Sequence, residues 1–152
     1  MNLSFIALGV TMIAGSLFIS RVVATARLRS LGLGCLAISG VGVILVGTFP
    51  ENTVPSAHAI GAALSFSVGN LGVMMMGLNR GFALSLRLFE VIAGATTLVA
   101  LVFYVNAEYL GLGEGAMERI VAYPRTIWLL ALGGYLLIRP MNLLRREPLV
   151  RK

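Results

Sequence analysis

The chain has a single histidine, His58, seven residues after Glu51, and a proline-containing stretch lies between them. A carboxylate near an imidazole can move a proton or hold a polar head group. Farther along, Glu118, Arg119 and Tyr123 precede another apolar run, and an arginine binds phosphate or carboxylate through its planar fork. The same residues can also serve structure, with His58 closing a helix end and Glu118 and Arg119 forming an interfacial ion pair. The structural role outweighs catalysis here, because a lone histidine without partners is a weak catalytic pattern. A hydrolase would use His58 as base, Glu51 to orient it and a nearby nucleophile. Ser56 is the hydroxyl nearest in sequence, and residues two apart do not face each other on a helix. Zinc would want three protein ligands, and one histidine with scattered glutamates does not supply them. The sequence therefore predicts no metal centre and no cofactor.

Two polar groups fall deeper in apolar runs. Glu90 follows Arg87 by three residues, which puts both on one helix face. An acid inside a membrane is a functional candidate by default, but a local ion pair with Arg87 is the more economical reading. Asn70, with Ser65 and Ser67 before it, is placed to bond another helix. A proton or ion relay would need several such groups in line, and the sequence presents only these.

The elements that carry these residues follow from composition. Of 152 residues, 58% are hydrophobic and 12% charged, with a mean hydropathy of +0.93. A soluble domain carries about 25% charged residues, so a water-soluble fold is excluded. The pattern predicts an all-α, polytopic transmembrane helical bundle forming one domain. Its five spans cover about 3–20, 30–49, 57–78, 86–106 and 126–144, each near the roughly 20 residues a bilayer requires. Pro50, Glu51, Asn52 and Pro55 break the second run from the third. The stretch 107–124, with Gly111, Gly113 and Gly115, reads as a loop holding a short helix, so the fifth span starts after Pro124. The first apolar run lacks a basic leader and a clean cleavage site, and reads as a retained helix.

Every acid is Glu and all but one of the twelve bases are Arg, for a net charge of +6. The bases lie between apolar runs, without a basic stripe interleaved with aromatics, which argues against nucleic acid. Arg21, Arg27, Arg29, Arg80, Arg87 and the tail (Arg139, Arg145, Arg146, Arg151, Lys152) make ten on one side. Only Arg119 and Arg125 fall on the other, together with four of the glutamates. The positive-inside rule then puts the N-terminus outside and the C-terminus in the cytoplasm. The lone Cys35 forms no intrachain disulfide.

Eighteen glycines are present, many at helix-packing spacing. Gly40, Gly42 and Gly47 in the second span, and Gly61, Ser65, Gly69 and Gly72 in the third, predict close approach of these two helices at the bundle centre, with Asn70 beside the contact. Met74, Met75 and Met76 point three ways around a helix and read as core or lipid filling.

The segment Gly47-Thr48-Phe49-Pro50-Glu51, followed by His58 and a small-residue helix, resembles the signature of the prokaryotic membrane proteins of domain-of-unknown-function family 998. Gly115, Glu118-Arg119, Pro124, Trp128, Gly133 and Gly134 resemble the ending of the same family. The resemblance covers nearly the whole chain and implies a membrane fold without supplying a reaction. It implies six helices, of which the first, with the polar segment after it, has no counterpart here. It also marks Glu51, His58, Glu118 and Arg119 as a shared site.

These features favour a non-enzymatic protein of a prokaryotic inner membrane that binds a lipid head group or small amphiphile at its outer mouth through Glu51, His58, Glu118, Arg119 and Tyr123. An accessory subunit of a membrane complex or a homo-oligomer is the second expectation. An intramembrane lipid or peptide hydrolase is the third.

Overall fold

The computed structural model describes residues 2–22, 27–78 and 82–138. Among the described residues, five helices are long and apolar enough to cross a membrane: α1 (Asn2–Val22), α2 (Arg27–Thr48), α3 (Pro55–Gly77), α4 (Leu84–Val105) and α5 (Glu114–Ile138). No strand occurs among the described residues. Leu130, Leu137 and Ile138 are among the large apolar side chains left facing outward, as expected where lipid is the solvent. Residues 139–152 lie outside the described residues, and with them the predicted end of the fifth span and the basic tail; Arg80 does too.

The breaks are chemical. At the α2–α3 turn the Pro50 carbonyl accepts from the Thr53 and Val54 amides and the Thr53 hydroxyl. Pro55 then opens α3 at the first helical position, where a missing N–H is not felt. Between α4 and α5 the chain takes left-handed backbone at Ala107, Leu110, Gly111 and Gly113. Helix α5 starts at Glu114 and runs through Pro124, so the predicted start near residue 126 is corrected by twelve residues. A proline inside a membrane helix is tolerated when neighbours satisfy the freed carbonyls. Pro124 withholds its amide from the Ile120 carbonyl, and at the adjoining residue the Asn70 amide of α3 donates to the Val121 carbonyl of α5, 3.2 Å away.

Helix α2 packs on α1 with one face and on α3 with another; α3 continues to α4, and α4 to α5. Glycine makes both contacts of α2. A Cβ on Gly42 would stand 2.6 Å from the Gly61 carbonyl of α3, and one on Gly61 would stand 2.7 Å from the Gly42 carbonyl. Gly40 and Gly47, grouped by the sequence with the α3 contact, instead face α1. Their added Cβ atoms would each lie 2.8 Å from its backbone, at Gly9 and Asn2. Gly40 and Gly42 are two residues apart and so point to opposite sides of the helix. Met76 fills the core at zero exposure, beside Leu36, Val73 and Trp128.

Gly42→Ala is expected to lower stability by about 1–3 kcal/mol through backbone separation. Gly34→Ala, where an added methyl meets nothing within 4 Å, should be neutral or stabilise by up to about 1 kcal/mol from helix propensity. Thermal unfolding in one mild detergent checks the pair, and equal melting temperatures would rule out the close-contact account.

A polar centre opening on a lateral crevice

Three helices send polar groups to a common level. With a rise of about 1.5 Å per residue, Arg125 lies roughly 16 Å along α5 from Glu114, Ser65 roughly 15 Å along α3 from Pro55, and Ser39 roughly 14 Å from the end of α2 at Thr48. That is about half of a 30 Å hydrocarbon core. Arg125 is 3% exposed. Its Nη1 donates to the Ser39 hydroxyl at 3.1 Å and to the Ser65 carbonyl, and its Nη2 donates to the Ser65 hydroxyl at 2.9 Å. The Ser39 hydroxyl donates to the same Ser65 carbonyl at 3.2 Å.

Two local features make room for the guanidinium. Residues Leu64–Val68 form a π turn, which shifts the helix ladder by a residue just where the Ser65 carbonyl is wanted outside it. Gly69, one turn further, has no side chain; a Cβ there would collide with both Arg125 Nη1 and Ser39 Oγ.

Toward the α2–α3 end, a cavity of about 380 Å3 extends from this centre. His58, Glu118, Arg119 and Tyr123 line it, together with Ser65 and Arg125. The structure therefore brings four of the five sequence candidates around one space. Glu51 is exposed in the turn and does not line it, and neither does Ser56. His58 is half-buried and its Nδ1–H donates to the Phe49 carbonyl at 3.0 Å, closing the end of α2 and leaving Nε2 as the ring's other polar atom. Glu118, Arg119 and Tyr123 are exposed along the first turns of α5.

A second, apolar groove of about 820 Å3 continues toward the other end, between α1 and α5 over α2. Leu8 and Thr126 line both spaces, so the two adjoin along α5 and together make up a crevice of two compartments. Its wall on α5 runs from Gly115 to Leu137, about 33 Å at the helical rise.

A separate polar pair ties α4 to α5. Glu90, at zero exposure, accepts from the Trp128 indole N–H at 2.5 Å. The expected ion pair with Arg87 does not form among the described residues: Arg87 Nε donates to the Gly77 carbonyl at 3.1 Å instead. Gly77 also clears space for Glu90, because a Cβ there would sit 2.6 Å from the Glu90 Cβ. The indole is the stronger claim on Glu90 because it reaches the acid inside the bundle, where an unmet carboxylate is most costly.

Arg125 is the functional candidate that sequence reading missed. Pro124 placed it at a helix start, whereas its depth follows only from the unbroken helix Glu114–Ile138.

The fold and this crevice define a multi-pass membrane protein with a buried charged centre in the wall of a cavity. The chain belongs to the family described as "Protein of unknown function (DUF998)", whose profile matches residues 1–135, from α1 through most of α5. No similar curated protein and no similar solved structure was found.

Proposed function

We propose that the protein binds a lipid head group or another small amphiphile in the crevice between α1 and α5. The observation that carries this reading is the adjacency of a polar space and an apolar one, with Leu8 and Thr126 lining both. His58, Glu118, Arg119, Tyr123 and Arg125 line one half, and Leu33, Leu36, Leu129 and Leu136 are among the aliphatic walls of the other. The apolar half follows α5 from Thr126 to Leu137, about 16 Å at the helical rise. That matches one leaflet of hydrocarbon, roughly half of 30 Å. Pockets for small molecules commonly span about 300–1,000 Å3, and each half falls in that range.

The polar mouth faces away from the cytoplasm of a prokaryotic inner membrane. Charge supports this orientation: Arg21, Arg27, Arg29 and Arg87 stand at the opposite end, while Arg125 is buried in the bundle and leaves the mouth with Arg119 alone among the described residues. Native mass spectrometry of the gently extracted protein should find a discrete small-molecule adduct. His58→Ala with Arg119→Ala should lower its occupancy about tenfold, the worth of a charge-assisted hydrogen bond. Unchanged occupancy in a folded variant would dismiss the reading.

A membrane partner or a second copy is the alternative. It is favoured by Gly133 and Gly134 on the outer part of α5, where an added Cβ would meet nothing within 4 Å. A defined oligomer without an adduct in the same spectrum would favour it.

A further inference from the structure

The guanidinium of Arg125 carries five N–H donors and a charge it does not lose. Three of those donors are spent: two on Nη1, toward Ser39 Oγ and the Ser65 carbonyl, and one on Nη2, toward Ser65 Oγ. Nε is buried and has no hydrogen-bond partner among the described residues. The two remaining donors are Nε–H and one N–H of Nη2, and Nε and Nη2 share one edge of the planar group. That edge is the one by which arginine grips the paired oxygens of a carboxylate or phosphate. All three groups that hold Arg125 are uncharged, and no carboxylate bonds it among the described residues. Glu90 is engaged with Trp128, and Glu118 stands two turns nearer the mouth. A charge buried inside a bundle without a counter-ion is costly, and such groups in membranes pair with an ion of opposite sign or mark its path. A purely structural link between α2, α3 and α5 needs no charge; Asn70 makes one from an amide.

We propose that Arg125 is an oxyanion receptor at mid-membrane depth, taking the phosphate or carboxylate of the crevice's ligand on its Nε/Nη2 edge. This rests on the reading of the crevice as an amphiphile site and gives that ligand an anionic head. Ser39, Ser65 and Gly69 are positioning residues: the two serines and the Ser65 carbonyl fix the plane of the guanidinium, and the missing side chain of Gly69 lets it lie flat against α3. The head group enters past Arg119 and Tyr123, and its chain lies along the aliphatic half.

Three probes separate the parts of this inference. Dodecyl phosphate has both chain and oxyanion, dodecanol has the chain alone, and inorganic phosphate has the oxyanion alone. Trp128 reports on each, since it is the only tryptophan and lies three residues beyond Arg125 in the same helix. The full chain in a neutral detergent should bind dodecyl phosphate saturably and dodecanol more weakly. Arg125→Gln should weaken dodecyl phosphate about ten- to a hundredfold, and Arg125→Lys should restore only part, because an ammonium keeps the charge and loses the fork. If Arg125→Gln does not fold, the loss in Arg125→Lys carries the test alone.

Equal affinity for dodecyl phosphate and dodecanol, or undiminished phosphate binding in both variants, would overturn the receptor. If both probes still bound and both were lost on His58→Ala, the amphiphile reading would stand without it. Conversely, inorganic phosphate that binds as tightly as dodecyl phosphate, and only with Arg125 present, would support the receptor and remove the amphiphile reading. Saturable binding of none of the three would end both.

Discussion

Trp128→Ala is expected to lower the unfolding free energy by about 3–5 kcal/mol, the cost of emptying a fully buried aromatic site. Lipid does not soften this. The loss is of dispersion contacts with Leu36, Val73 and Leu132, which no solvent refills in a closed core. The same change removes the hydrogen bond to Glu90, whose Oε2 is already without a partner among the described residues. Trp128→Phe separates the two effects. It keeps most of the volume, and its cost of about 1–3 kcal/mol is that of leaving a buried acceptor unmet. Reversible denaturation in mixed micelles should rank wild type above Trp128→Phe and Trp128→Phe above Trp128→Ala. A phenylalanine variant as stable as wild type would mean that the indole N–H contributes packing only.

This pair also shows where sequence reading runs out. Glu90 is conspicuous in an apolar run, but sequence spacing offers it only Arg87, and the partner it takes is thirty-eight residues away. The five helices were legible because a bilayer leaves few alternatives to long apolar runs broken by proline, glycine and charge. His58, Glu118, Arg119 and Tyr123 could be named from their types, since polar side chains beside apolar runs stand out in so hydrophobic a chain. Their convergence depends on how α3 and α5 pack around the crevice. Arg125 was hidden by its neighbour: a proline in that context reads as a helix start, whereas the helix runs unbroken through it from Glu114 to Ile138. The π turn at Leu64–Val68 left no trace in residue type. Glycine spacing correctly marked crowded surfaces but not their partners, as Gly40 and Gly47 against α1 make plain.

Gly69→Ala is expected to remove the receptor without touching any residue that binds. The new methyl would occupy space held by Arg125 Nη1 and Ser39 Oγ, so either α3 moves away from α2 or the guanidinium leaves its three acceptors. A charge stripped of its partners inside a bundle costs about 3–5 kcal/mol, larger than an alanine in a helix would otherwise suggest. Arg125→Leu has the opposite balance. It removes a charge that lacks a counter-ion and replaces it with a side chain suited to the surroundings, which is often neutral or stabilising by about 1–4 kcal/mol. Ser39 Oγ keeps its bond to the Ser65 carbonyl in that variant, so the change does not strand its hydroxyl. The double variant should therefore recover part of what Gly69→Ala loses, because Ser39 Oγ still crowds the new methyl, with a coupling of about 1–3 kcal/mol across the cycle. Melting temperatures of the four proteins in one detergent provide the cycle, and dodecyl phosphate titrations on the same samples provide the second axis. The expected pattern is stability partly restored and binding still absent in the double variant. Additive losses would place the crowding of Gly69 on the helix backbones, with the guanidinium a bystander.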